Sequence, residues 1–273
     1  MNLSKITDKN GYIKISAFDH RDSLKKELQE DQLPYFKSIV SEYLSDSCTA
    51  ILVDPEYGHH AIKIAQAKGL GILLSREQSG YLESNPERPL ELYENFTAQK
   101  LKNMGADALK VLVYYNLLVP GLEQKNETLK FARDEAHDQG LPLLIEPITF
   151  ATSKNFEYNK AEAIVETAIK LEPYADVLKI EFPAENLDYI ESAEIYLQML
   201  KDNIEIPWII LSRGMPFEKF KDALKLSKEY GASGFAVGRA IWQDSLKLNS
   251  LKDIEYFMRT TGASRMQELS EIF

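Results

Sequence analysis

The stretch Ala175-Asp176-Val177-Leu178-Lys179-Ile180-Glu181-Phe182-Pro183 holds a short apolar run, 177–182, with a lysine and a glutamate inside it. Seven other short apolar runs, at 13–18, 50–53, 70–74, 108–114, 142–145, 208–211 and 234–237, are separated by charged, helix-like stretches. Their starts lie between 20 and 38 residues apart, the length of a strand, a loop and a helix repeated. The runs are nearly continuous in Ile, Leu and Val, as expected of parallel strands covered on both faces. In the intervening segment 89–104, Leu90, Leu92, Tyr93, Phe96, Leu101 and Met104 approximate one apolar face, which predicts an amphipathic helix. Eight such alternations predict an α/β fold, a (β/α)8 TIM barrel, spanning 1–273 as one domain with a helical extension from about residue 244. An open doubly wound sheet is the competing fold. No G-x-G-x-x-G follows any run, and eight roughly equal repeats suit closure better.

Composition narrows the function. Hydrophobic residues make up 44% of 273, enough for a large core, and 32 Lys+Arg against 42 Asp+Glu give a net charge of −10. That balance argues against a nucleic-acid partner, and an anionic small molecule would need its own local cluster of cations. The longest uncharged stretch, 111–122, is too short to span a membrane. The N-terminus has no apolar signal segment and Cys48 is the only cysteine, so a cytoplasmic location is expected.

A barrel keeps its chemistry at the C-terminal ends of its strands. Asp19-His20-Arg21, Asp54-Pro55-Glu56, Arg76-Glu77 and Glu146-Pro147 stand at four of those ends, while Lys110 and Lys179 lie within runs. Strand alternation puts Val177, Lys179 and Glu181 on one face, the barrel interior. The bland reading of Lys179 is an ion pair with Glu181 or Glu146, because lysines are rarely buried alone. The sharper reading is an imine-forming lysine. At an ordinary pKa only about 0.04% of a lysine is the neutral nucleophile at pH 7. Burial beside a second cation, for which Lys110 is available, can bring the pKa down to roughly 7–8. Glu146 or Asp19 would then move protons as the carbinolamine forms and collapses, or would simply neutralise the two lysines.

The last two runs end in Leu211-Ser212-Arg213-Gly214 and Gly238-Arg239-Ala240, where barrels commonly hold phosphate. Glycine lets backbone N–H groups approach an anion, a helix N-terminus adds positive potential, and arginine supplies a two-pronged donor. His59-His60 lacks the surrounding ligand spacing of a zinc site, so no metal is expected. Trp208 and Trp242 read as core residues.

Taken together, these residues resemble the class I tagatose-1,6-bisphosphate aldolase family, which includes the related sulfofructose-phosphate aldolases. Asp19-His20-Arg21 resembles the family's first-strand Asp-Gln-Arg, and Ile51-Leu52-Val53-Asp54-Pro55-Glu56-Tyr57-Gly58 matches its second-strand signature. Glu77-Gln78-Ser79-Gly80-Tyr81, Gly105-Ala106-Asp107-Ala108-Leu109-Lys110, Asp176-Val177-Leu178-Lys179-Ile180-Glu181 and Gly238-Arg239-Ala240 follow in the family's order.

The resemblance implies a cofactor-free lyase whose partner is a small phosphorylated ketose, most simply tagatose 1,6-bisphosphate, and a homo-oligomer is possible on this fold. Lys179 would form the imine, Glu146 would shuttle protons, and Lys110 and Asp19 would orient hydroxyls during C3–C4 cleavage to dihydroxyacetone phosphate and a three-carbon aldehyde. Ser212, Gly214, Gly238 and Arg239 would hold one phosphate and Arg21 the anion at the other end. The chain departs from the pattern at His20, at Arg213 and at Asn116. These changes lie near the anion-binding ends, so they leave a sulfofructose 1-phosphate aldolase, or a sugar-phosphate-binding regulator without turnover, as alternatives.

Overall fold

A computed structural model describes residues 1–78, 87–151, 158–184 and 189–273. Eight parallel strands close into a barrel in sequence order: β1 (Ile13–Ala17), β2 (Ala50–Val53), β3 (Gly71–Ser75), β4 (Ala108–Tyr114), β5 (Leu143–Ile148), β6 (Val177–Glu181), β7 (Trp208–Leu211) and β8 (Gly234–Val237). All eight fall on the apolar runs, as a sheet buried on both faces requires. Closure depends on Gly234, paired with Ile13. Its φ is +142°, and a Cβ there would lie 1.8 Å from the Ile13 carbonyl oxygen.

Helices α1 (Leu33–Leu44), α2 (His59–Ala67), α3 (Ala98–Asn103), α4 (Leu122–Asp138), α5 (Lys160–Leu171), α6 (Glu194–Asn203) and α7 (Phe217–Glu229) follow successive strands. Short α8 (Arg239–Trp242) follows β8, and α9 (Leu251–Phe257) and α10 (Ala263–Ser270) complete the chain as the helical extension. The extension packs against α1 and buries Ile254, Met258, Met266 and Leu269. Each such side chain removed from water contributes about 1.5–3 kcal/mol.

Two segments differ from the sequence reading. Only Ala98–Asn103 of 89–104 is helical. The chain before it runs extended beside the end of β3, where Leu92 bridges Glu77, Tyr93 N–H donates to the Arg76 carbonyl, and Arg76 donates back to the Tyr93 carbonyl. The apolar side chains Leu90, Leu92 and Phe96 pack from there against the main core, and Thr97 starts the helix by accepting from Lys100 N–H. Strand β5 runs three residues beyond Ile145, so Glu146 lies within it. Past Ile145 β5 pairs only with β4, and a strand with one open side tolerates Pro147.

The barrel interior divides into two storeys. Ile13, Ile15, Leu52, Ala108, Val177 and Ile209 form a dry apolar floor. Continuing with the same inward alternation along β4, β5 and β6, Lys110, Glu146 and Lys179 form the upper storey and line a cavity. Trp208 and Trp242 are buried, as expected of core residues.

Candidate active site

The cavity, about 450 Å³, lies at the C-terminal end of the barrel, a size suited to a small metabolite. Asp19, His20, Arg21, Lys110, Glu146, Lys179, Ser212, Arg213, Gly238 and Arg239 all line it. Gly214 does not. It sits behind Arg239, where a Cβ would lie 3.5 Å from the guanidinium carbon. His59 and His60 lie at the start of α2, outside this lining.

Lys179 is 4% exposed, and its ammonium lies 2.7 Å from Glu146 Oε2. The register explains the meeting, since Leu144 pairs with Val177 and the next inward residues on the two strands are Glu146 and Lys179. The alternative partner, Glu181, is taken elsewhere. Its carboxylate accepts from Thr149 N–H at 3.0 Å, pairs with Lys160 at 2.9 Å and holds the Arg213 guanidinium.

Lys110 is the hub of the cluster. Its ammonium lies 2.7 Å from Asp19, 2.8 Å from Glu77 and 3.1 Å from Glu146. Burial works against its charge, but Asp19, Glu146 and Glu77 outweigh burial and hold its pKa well above the ordinary value. Lys110 is therefore a fixed cation whose charge is compensated by three carboxylates. The same balance acts on the acids. For Asp19 and Glu146, burial is outweighed by Lys110 and Lys179, so both carboxyls stay below the usual range and ionised. For Glu77, burial outweighs Lys110 and Arg21 and pushes the carboxyl up, with the Asp19 charge adding to it.

The anion-binding candidates divide by how free they are. Arg239 is mostly buried and has no hydrogen-bond or ion-pair partner among the described residues; burial and the nearby Arg213 depress its pKa. Arg213, left-handed at φ +45°, is turned toward Glu181. Arg21 donates to the Glu77 carbonyl oxygen from both terminal nitrogens at 3.2 Å, and also to the Tyr93 hydroxyl. The His20 ring packs edge-on to Trp242 with centroids 5.1 Å apart. Burial, with Arg239, Lys179 and Lys37 nearby, pushes His20 down to about 3 despite Asp19, so the ring is neutral at physiological pH. Gly238 lies against β1, where a Cβ would come within 2.5 Å of the Ala17 carbonyl oxygen. Helix α8 has four residues, so the positive charge at this end comes from Arg239 more than from a helix dipole.

Residues 13–244 match the DeoC/LacD family aldolase. The chain belongs to that family. The tagatose 1,6-diphosphate aldolase of Listeria monocytogenes serotype 4a is 32% identical to this DeoC/LacD aldolase, over 99% of this chain and 90% of that protein. The enzyme of the same name from Streptococcus agalactiae serotype V is 30% identical, over 99% and 94%. An archaeal fructose 1,6-bisphosphate aldolase superposes with a TM-score of 0.68 at 18% identity, covering 99% of this chain and 96% of that one. A Plasmodium falciparum fructose-bisphosphate aldolase does so with 0.74 at 14%, covering 99% and 92%. The two structures share the barrel fold. The resemblance to the class I tagatose-bisphosphate aldolases is thus borne out, and the protein is an aldolase, a carbon–carbon lyase.

Sequence reasoning passed over two buried groups in this DeoC/LacD aldolase. Glu77 was visible as a carboxylate at a strand end, but its apposition to Lys110 depends on the β3–β4 register, in which Ser75 pairs with Lys110. Lys37, on α1, is fully buried and donates to the Phe18 and His20 carbonyls at 2.6 and 2.8 Å while pairing with Asp54. It thereby pins the backbone on both sides of Asp19. Nothing in the amphipathic pattern of α1 marks that lysine as different. Of the resemblance motifs, residues 79–81 lie outside the described residues.

Proposed function

We propose that this aldolase forms an imine between Lys179 and the ketone carbon of a phosphorylated ketose, with tagatose 1,6-bisphosphate the first substrate to test. The products are dihydroxyacetone phosphate and a three-carbon aldehyde. One observation carries this reading: a lysine amine inside the barrel, on the wall of the cavity, 2.7 Å from a carboxylate that stays ionised. Glu146 takes the ammonium proton as Lys179 attacks the carbonyl, and returns one to the carbinolamine oxygen, which leaves as water. The protonated imine then draws the C3–C4 electron pair and serves as the electron sink. Lys110 and Asp19 offer a fixed cation and a fixed anion to the substrate hydroxyls.

The free guanidinium of Arg239, with Ser212 and Gly238 beside it, suits a phosphate. At the other end Arg21 is already bound to Glu77 and Tyr93, so it reaches a distal anion only by giving up those bonds. A phosphorylated ketose and a lone, partly buried Cys48 suit a reducing cytoplasm.

The test combines trapping with turnover. Incubation with dihydroxyacetone phosphate and borohydride should place a reduced adduct on Lys179, read by mass spectrometry. Coupled cleavage of tagatose 1,6-bisphosphate, fructose 1,6-bisphosphate and sulfofructose 1-phosphate should give the highest kcat/KM for the first. Folded protein with no adduct on Lys179 overturns the mechanism. Faster cleavage of the sulfonate keeps the mechanism and changes the distal anion.

A further inference from the structure

We infer that Arg213 is a second, movable arm for the phosphate at Arg239: it leaves Glu181 when the phosphate enters and closes on the anion from the β7 side. The inference rests on the phosphorylated-ketose reading above and deepens it by naming a residue that sets affinity for the phosphate.

The place of Arg213 is the first observation. The turn after β7 runs Ser212-Arg213-Gly214-Met215, with Met215 N–H donating to the Ser212 carbonyl at 2.8 Å. Its two central residues are both left-handed, at φ +45° and +78°. Gly214 adopts that backbone freely, whereas an arginine rarely does. The turn abuts the other guanidinium, since a Cβ at Gly214 would lie 3.5 Å from Arg239 Cζ. Both arginines line the cavity, and the Arg213 charge helps to depress the pKa of Arg239. Two neighbouring cations repel each other until an anion joins them, and a phosphate dianion matches both.

The way Arg213 is held is the second observation. Its side chain is 38% exposed and donates to Glu181 from Nη1 alone; its other N–H groups have no partner among the described residues. Glu181 does not depend on that bond. Its buried carboxylate also has Lys160 at 2.9 Å on Oε1 and the Thr149 N–H and hydroxyl at 3.0 and 3.2 Å on Oε2. Release of Arg213 therefore leaves no buried charge unpaired, the usual obstacle to breaking such a pair. Arg21 is the opposite case, buried and tied from both terminal nitrogens to the Glu77 carbonyl.

Glu181 and the phosphate thus compete for one guanidinium. The fraction of Arg213 already released scales the apparent affinity, so a weaker tether means tighter phosphate binding.

Calorimetric titration with dihydroxyacetone phosphate tests this across the wild type, Arg213→Gly, Glu181→Gln and the double variant. Glycine keeps the left-handed turn, and Arg213→Asn, which tolerates it, serves if Arg213→Gly does not fold. Arg213→Gly should weaken binding about 10- to 100-fold, the loss of a charge-assisted contact. Borohydride trapping of unphosphorylated dihydroxyacetone on Lys179 should stay within about threefold, because that ketone has no phosphate to hold. Glu181→Gln should tighten dihydroxyacetone phosphate about two- to tenfold, and most of that gain should vanish in the Arg213→Gly background. If Glu181→Gln does not fold, Lys160→Met gives the opposite sign: Glu181 then grips Arg213 harder and binding weakens. Unchanged binding in Arg213→Gly overturns the inference, as does an equal loss for the unphosphorylated ketone. Equal tightening by Glu181→Gln with and without Arg213, or unchanged binding in Lys160→Met, overturns the release from Glu181. Absence of an adduct in wild-type protein that still binds dihydroxyacetone phosphate through Arg213 overturns the imine reading instead and leaves this one standing.

Discussion

Lys37 and Lys179 are both buried lysines, and they stand on opposite sides of the strand wall. Lys37 reaches from α1 to the ends of β1 and β2. It spends its three N–H donors on two carbonyls and the Asp54 carboxylate, and it does not line the cavity. Lys179 points inward from β6, meets the Glu146 carboxylate and faces open volume. Burial is common to both, so burial alone does not make a lysine reactive. What differs is whether its donor capacity is already filled by protein and whether a carbonyl carbon can come within reach.

The comparison breaks most sharply under exchange of roles. Lys179→Ala should lower cleavage at least about 10⁴-fold with the fold intact, measured by the coupled assay alongside circular dichroism. Loss of less than about tenfold would mean that the reactive amine is elsewhere.

Lys37→Met should act on stability first. It strands the buried Asp54 charge, at a cost of about 3–5 kcal/mol in denaturant unfolding, and Lys37→Met with Asp54→Leu should recover part of that loss. Protein still folded should form the Lys179 adduct. An unchanged denaturation midpoint would show that the Lys37 pair holds nothing in place.

Arg239→Ala should sharpen the contrast between filled and unfilled cations. The guanidinium has no partner to lose, so stability should shift by no more than about 0.5 kcal/mol. The KM for a phosphorylated ketose should rise about 10- to 100-fold, equivalent to a lost charge-assisted hydrogen bond of about 1.5–3 kcal/mol.

The smallest effect concerns His20. Its pKa is about 3 in the fold against an ordinary 6.5, so between those values the unfolded chain binds the extra proton. Stability from the neutral ring is present near neutrality and is lost as pH falls from about 6.5 toward 3. His20→Gln should flatten that slope in acid titration of unfolding, while the wild type keeps it.

The strands were legible because a closed parallel sheet buries both faces, which writes each strand as an apolar run between turns. Lys110 and Lys179 were legible as violations of that pattern. The segment 89–104 misled because an apolar stripe reports burial and not which backbone buries it. Pairing along β3 took Leu92 and Tyr93 out of the helix. Arg21 was legible as a cation at a strand end, but its engagement with Glu77 and Tyr93 was not.

By itself the order of residues determined eight strands, their inward faces and the lysines among them, because these depend on local alternation and on transfer of side chains from water. Only the closed barrel decided that carboxylates from β1, β3 and β5 converge on Lys110, that Glu146 and not Glu181 meets Lys179, and that Arg239 stays free while Arg21 is bound. Those outcomes depend on distances between groups far apart along the chain. Charge pairing falls off too steeply with distance, and burial strengthens it too much, for sequence spacing to rank the partners.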